Sequence, residues 1–418
     1  MTLRPHQVAA LAAVIERLRA FEGPADATLR HFFRAHPALG KQERAFVADG
    51  GFAFLRRKRS LEWLAGSTDP RRLALAVALR ELRFPVDAVR SIAKREDSAW
   101  LATLAERERE PMPPAVQADL PDWLWERLGA LWGSAHRAAF ARATLAEAPL
   151  DLRVNALKAT REQAIAALAA SHIVATPTPY APLGLRIEGR PALTRLPAFE
   201  QGLVEVQDEG SQLVTQLVAP KRHDFVVDFC AGAGGKTLAL GALMRSQGRL
   251  YAYDISDRRL ANLKPRLARS GLTNVQAQRI AHERDTRIKR LAGKVDRVLV
   301  DSPCTGLGTL RRNPDLKWRQ DATALDELTV KQHAILASAA TLVKPGGRLV
   351  YATCSVLPEE NEAIVEAFLR EHADFMAGDA AAELARARIP LDTGPMLRLA
   401  TETHGCDGFF AAILERQR

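Results

Sequence analysis

The sequence predicts an α/β protein. A mostly parallel sheet covered by helices should fill residues 207–418, preceded by an all-helical segment and a small α+β module. Three observations predict this. Residues 1–110 repeat apolar side chains at helical spacing. From residue 207 onward, strand-like and helix-like patterns alternate, which gives parallel sheets with helices on their faces. At 225–237 the run FVVDFCAGAGGKT reads as a buried strand, a glycine-rich turn and a helix start, the local form of a nucleotide-like binding cradle.

In chain order, Val8, Leu11, Ala12, Ile15 and Leu18 mark the first helix, and similar stripes run through 27–33, 43–64 and 72–82. Pro24, Gly40 and Pro70 punctuate them. Arg56, Arg57, Lys58 and Arg59 lie between apolar Phe54-Leu55 and Leu61, Trp63-Leu64. Basic heads flanking an apolar stripe suit phosphate contact; a solvated helix face is the ordinary alternative. Four prolines at 110–122 indicate a linker. The next helical stretch carries Trp123, Trp125 and Trp132, suited to stacking on bases or to packing between domains. The period then changes, with strands at 150–155, 183–187 and 202–206 and a short helix at 160–170. Further strands are expected at 225–229, 249–254, 275–280, 295–301, 348–353 and 408–414, with helices between them, including 258–270 and 323–342. The expected division is therefore 1–110, a linker at 111–122, a module at 123–206 and the sheet domain at 207–418.

The 418 residues suffice for two or three domains, and 47% hydrophobic with 26% charged residues is an ordinary globular composition. No apolar run approaches the roughly 20 residues of a membrane span. The amphipathic N-terminus carries Glu16, Arg17 and Arg19 and lacks the apolar centre of a secretory signal, so a cytoplasmic protein is expected. Cys230, Cys304, Cys354 and Cys406 form no CxxC pair, which argues against a disulfide framework and a zinc site. The net charge of +10 points to a polyanionic partner. Residues 1–110 hold 20 Lys and Arg against 14 Asp and Glu, and so carry +6 of it.

The turn at 230–236 admits more than one ligand. Its ending GGKT suggests a P-loop, with VDRVLVD at 295–301 as a magnesium-holding strand. A P-loop, however, needs glycine five positions before the Gly of Gly-Lys-Thr, and Cys230 stands there. A nucleoside cofactor without a phosphate chain fits better. The strand RLYAYD ends in Asp254, 26 residues beyond Asp228, near the spacing of an acid that accepts ribose hydroxyls. S-adenosyl-L-methionine is the leading candidate, with a nicotinamide cofactor and a P-loop nucleotide as alternatives.

Two cysteines follow strands of the same domain, in Asp301-Ser302-Pro303-Cys304 and in Thr353-Cys354-Ser355. Either alone would read as a small buried hydrophobe. Two at strand ends, one with an acid three residues before it, point to chemistry. Methylation of an exocyclic amine is generally served by an acid or amide, two prolines and an aromatic; here a thiol replaces the aromatic, which suits carbon as acceptor. Cytosine C5 is a poor nucleophile until a thiolate adds to C6 and makes the ring an enamine. An acid must then hold N3 and the amino group, a place Asp301 can take. The residues alone do not say which thiol attacks.

These stretches resemble the Sun/Fmu family of RNA cytosine-5 methyltransferases, and most closely its branch of bacterial 16S ribosomal RNA methyltransferases B. The resemblance rests on VQDEGSQLV at 206–214, DFCAGAGGKT at 228–237, DSPCTGLGTLRRNPDLKW at 301–318, YATCSVLPEENE at 351–362 and DGFF at 407–410. LRVN at 152–155 and GLRI at 184–187 extend it weakly upstream, and LGKQERAFVADGGFAFLRRKRSLEWL at 39–64 resembles the NusB-like helical domain of that branch. The resemblance implies a class I, Rossmann-like methyltransferase domain, S-adenosyl-L-methionine as methyl donor and 16S ribosomal RNA as partner, with no metal and no membrane; a monomer is expected. It implies Cys354 as nucleophile and Cys304 as the thiol assisting product release. Cys230, Ala231, Gly232, Ala233, Gly234, Gly235, Lys236, Asp254 and Asp301 would form the cofactor and base pocket, and Arg311, Arg312, Lys317 and Arg319 would contact phosphates beside it. The family usually has proline at Ala233 and alanine at Ser302, and the acid often found after the third strand is not evident at 280–283. A non-catalytic RNA-binding module and a P-loop NTPase acting on RNA are the rival readings.

Overall fold

The computed structural model describes residues 2–418. The chain forms two compact units. One comprises the chain up to Glu147 together with Thr309–Ala322; the other comprises Ala148–Gly308 and Thr323–Arg418.

The first unit is helical. Its early helices are Pro5–Arg19, Ala25–Ala35, Lys41–Arg56, Lys58–Ala65 and Pro70–Arg80. Val8, Leu11, Val14, Ile15 and Leu18 of the first helix are buried against Phe32, Phe54, Leu55 and the stripe from Leu73 to Ala78. Pro5 and Pro70 start their helices where a missing N–H costs nothing, and Asp69 accepts from Arg72 N at 2.9 Å as an N-cap. The run at 56–59 does not present four solvated cations. Arg56 is buried, Arg57 pairs with Glu81 at 3.0 Å, Lys58 with Glu62 at 3.0 Å and Arg59 with Asp122 at 2.6 Å. The later segment belongs to the same core: Trp318 packs on it, its Nε1 donates to Leu55 O at 2.7 Å, and Lys317 Nζ donates to Arg56 O at 2.8 Å. Arg311 and Lys317 are buried, which corrects the expectation that they face phosphates.

The second unit holds two sheets. The smaller contains β1 (Leu150–Val154), β2 (Ala175–Pro177), β3 (Gly184–Ile187) and β4 (Val204–Val206) in the antiparallel order β2-β3-β1-β4. Leu152, Val154, Leu185 and Ile187 pack with Ala164 and Leu168 of the helix Arg161–Ala169.

The larger sheet contains β5 (Phe225–Asp228), β6 (Arg249–Asp254), β7 (Val275–Arg279), β8 (Val295–Asp301), β9 (Val343–Thr353), β10 (Phe375–Ala377), β11 (Leu397–Leu399) and β12 (Phe409–Arg416). Their order is β10-β12-β9-β8-β5-β6-β7, with β11 on β12. β5 to β9 are parallel, whereas β10, β11 and β12 pair antiparallel. Successive residues of the central strands enter opposite cores: Val298, Val300, Leu349 and Tyr351 on one face, Leu299, Val350 and Ala352 on the other. Burial on both faces explains why these strands read as continuous apolar runs. From β5 the chain goes outward through β6 and β7, then returns to build β8 and β9 on the other side. The crevice beyond the ends of β5 and β8 is thus the topological switch point, where such sheets bind ligands. Among the described residues, no helix is long and apolar enough to cross a membrane.

Candidate active site

The glycine turn is shaped by backbone contacts. Phe229 N donates to Leu299 O and Ala231 N to Tyr253 O, each at 2.8 Å, so the turn leaves β5 pinned to both neighbouring strands. Gly234, at φ +81°, caps the helix Gly235–Leu243; a Cβ there would lie 2.1 Å from Leu263 Cδ1. Left-handed backbone and this close packing both require glycine. Gly232 N donates to Asp254 Oδ2 and Ser256 N to Asp254 Oδ1, both at 2.8 Å. Asp254 is therefore fixed at the end of β6, with a further lone pair on each oxygen for a ligand hydroxyl. Arg266 Nη1 donates to the carbonyl of Ala233 at 2.5 Å.

Charged groups collect beside the turn. Asp228 is buried at the end of β5; its Oδ2 accepts from Thr237 Oγ1 at 2.6 Å, and its Oδ1 has no hydrogen-bond partner among the described residues. Burial raises the Asp228 carboxyl to about 7, and the Thr237 bond only partly opposes this. Lys236 Nζ meets Asp301 Oδ2 at 2.7 Å and lies 5.0 Å from the centre of the Phe409 ring. Burial alone would lower the Lys236 ammonium, but the Asp301 carboxylate outweighs it and holds it up. Burial pushes the Cys230 thiol up, with Asp228 adding to it.

Cys304 and Cys354 come together from the ends of β8 and β9, with their sulfurs 3.5 Å apart. The parallel register sets Asp301 beside Ala352, so each cysteine falls within a few residues of the last paired position. The hydrogen bond with Cys354, and then burial, hold the Cys304 thiol well above the ordinary range. It is therefore a protonated thiol near neutral pH. Gly308 N donates to Cys354 O and Gly408 N to Gly308 O, both at 2.8 Å. A Cβ on Gly308 would meet Gly408 O at 2.2 Å, so the DGFF motif closes the site by backbone contact.

Sequence reasoning missed three contributors. Glu360, fully buried, bonds to residues next to both cysteines. Gln332 donates to Pro303 O at 3.0 Å and to Glu360 Oε1 at 2.9 Å. Arg266 holds the glycine turn. Glu360 lay within the quoted YATCSVLPEENE, but a run of acids does not reveal which one turns inward. After β7, Asp285 stands just beyond residues 280–283, and it accepts from Ala281 N and Arg287 N at 2.9 Å each. Among the described residues there is no group of three or more His, Cys, Asp or Glu able to hold a metal ion.

The residues fit a cationic nucleoside methyl donor. The orphaned Asp228 oxygen, the open Gly232 position with nothing within 4 Å of an added Cβ, and the fixed Asp254 carboxylate surround one turn. Lys236 is engaged with Asp301 and not turned to a phosphate chain.

Comparison with known proteins agrees. The family model described as 16S rRNA methyltransferase RsmB/F matches residues 215–415, and that of the RsmF/B-like ferredoxin-like domain matches residues 120–194. The chain is 37% identical over 310 residues to a probable ribosomal RNA small subunit methyltransferase B of Synechocystis, covering 74% of this chain and 69% of the relative. It is 32% identical to the ribosomal RNA small subunit methyltransferase B of Sodalis glossinidius, covering 91% of each. Among solved structures, a methyltransferase homolog protein from Pyrococcus horikoshii superimposes with a TM-score of 0.62 at 28% identity, covering 73% of this chain and 100% of that one.

Proposed function

The chain belongs to the RsmB/F family of 16S ribosomal RNA methyltransferases, and from that premise we propose that it methylates C5 of a cytosine in 16S ribosomal RNA through a covalent Cys354–C6 adduct. It is an S-adenosylmethionine-dependent RNA methyltransferase. The observation that carries the finer reading is the 3.5 Å approach of two thiols beside the Lys236–Asp301 pair. N-methylation has no use for two sulfurs; addition to and release from a pyrimidine ring uses both.

S-adenosylmethionine supplies an electrophilic methyl group when bound at the glycine turn. Asp228, Asp254 and the 230–236 backbone would hold it. The Cys354 thiolate adds to C6, and Asp301, braced by Lys236, holds N3 and the amino group while electron density rises at C5. Once C5 carries the methyl, its proton passes to a solvent water acting as base, the electron pair re-forms the C5–C6 double bond, the C6–S bond breaks and Cys354 leaves as thiolate. Cys304, protonated and in contact with Cys354, is suited to assist that departure and unsuited to attack first. The base must be unstacked to reach both sulfurs.

Cys354→Ala should abolish methylation, whereas Cys304→Ala should trap a protein–RNA adduct that survives a denaturing gel. An adduct with Cys354→Ala and none with Cys304→Ala would reverse the two roles. Bisulfite mapping of 16S ribosomal RNA from a deletion strain identifies the cytosine. The proposal includes a cytoplasmic monomer, a NusB-like RNA-binding domain at 1–110, a linker at 111–122, an α+β module at 123–206 and the methyltransferase domain at 207–418.

A further inference from the structure

The last backbone bonds joining the strands that bear the two cysteines lie near Asp301, where Ser302 N donates to Ala352 O at 2.8 Å. The next direct backbone link is Gly308 N to Cys354 O. The Cys304 turn between them is held to the Cys354 turn by side chains: Thr305 Oγ1 and Ser355 Oγ lie 3.2 Å apart, and both converge on Glu360. Glu360 Oε1 accepts from Thr305 N at 2.8 Å and Gln332 Nε2 at 2.9 Å; Oε2 accepts from Thr305 Oγ1 at 2.5 Å and from Ser355 Oγ. Thr305 follows Cys304, and Ser355 follows Cys354. Four donors thus fill the four lone-pair directions of one fully buried carboxylate. The second proton of the Gln332 amide reaches Pro303 O, immediately before Cys304.

We propose that Glu360 is a positioning residue that fixes the spacing of the Cys304 and Cys354 thiols by clamping the turns that carry them. The role rests on the reading that both thiols act on one base. Attack and release by adjacent sulfurs tolerate little displacement, since a misplacement of about 1 Å can reduce rate roughly 100-fold. Glutamine can replace the clamp almost in kind. Its oxygen would face Thr305 N and Gln332, and its NH2 would face two hydroxyls that can rotate to accept.

The test uses the full chain and two readouts. At saturating RNA and methyl donor, Glu360→Ala should lower kcat about 100-fold with KM for RNA changed less than about 3-fold, and Glu360→Gln should stay within about 5-fold of wild type. The second readout needs no RNA. Phenylarsine oxide condenses with two neighbouring thiols, forming two As–S bonds and releasing water. Wild type and Glu360→Gln should bind it tightly, Glu360→Ala should bind at least about 10-fold more weakly, and Cys304→Ser marks the single-thiol baseline. If Glu360→Ala does not fold, Ser355→Ala, which removes one donor, should show smaller losses on both readouts. Wild-type kcat and arsenical affinity in the folded variant overturn the clamp, as does a glutamine variant no better than alanine. If wild type makes no 5-methylcytosine, the cytosine reading fails, and the arsenical readout alone still decides the clamp.

Discussion

Asp228 shows what one buried carboxyl does to the molecule. It is raised to about 7, against roughly 3.9 in an unfolded chain. Between those values the folded state keeps a proton that the unfolded chain has released, so stability falls as pH rises from about 4 to about 7 and stays low above it. Asn at this position keeps the shape and the Thr237 contact without the charge. Asp228→Asn should therefore be more stable than wild type at pH 8, by at most about 4 kcal/mol, with the difference vanishing near pH 4. Urea unfolding at the two pH values measures this. The same variant should bind S-adenosylmethionine about 10-fold more weakly at pH 8, because a charge-assisted partner for the cationic donor is gone. Wild-type affinity in a calorimeter would remove Asp228 from the cofactor site.

The glycine turn and the central strands were legible because each carries a local requirement. β5, β6 and β8 are short apolar runs ending in Asp228, Asp254 and Asp301, and Gly234 sits where no side chain fits. β2, β10 and β11 were not legible: each is three residues long, too short for a period of two to stand out from its surroundings. Tertiary partners were equally hidden. Arg266 lies 33 residues from Ala233, on a helix rich in basic residues, and reads as solvated. In the structure it donates to the Ala233 carbonyl and faces Glu205 at 3.4 Å. Ala233 leaves its own φ unrestrained by a ring, and the Arg266 hydrogen bond is the side-chain restraint on its carbonyl. Arg266→Ala should weaken S-adenosylmethionine binding about 10-fold and destabilise by roughly 1–3 kcal/mol, the range for losing a charged hydrogen bond. Unchanged calorimetric affinity would mean that the turn keeps its shape unaided.

For the molecule as a whole, the charge of +10 suits the RNA partner proposed above, yet it could not say which cations are available to one. Lys317 is the clearest case. Read in sequence beside Arg311 and Arg312 it suits phosphate, but it is 1% exposed, donates to Arg56 O and lies near the buried Asp119. Burial lowers its ammonium to about 7, against the partial opposition of Asp119, whose own carboxyl burial pushes up. Between about 7 and 10 the unfolded chain holds a proton that the folded one has shed, so this residue makes stability rise with pH across that window. Lys317→Met should erase that rise. It should also be less stable than wild type near pH 10, by about 1–3 kcal/mol, because the Arg56 carbonyl loses its donor, and the gap should close toward pH 7, where the variant no longer carries the cost of a buried ammonium. Binding of RNA, measured across salt concentrations, should keep the wild-type slope. A true phosphate contact predicts the opposite pair of results: unaltered unfolding, and a salt slope shallower by about one counterion.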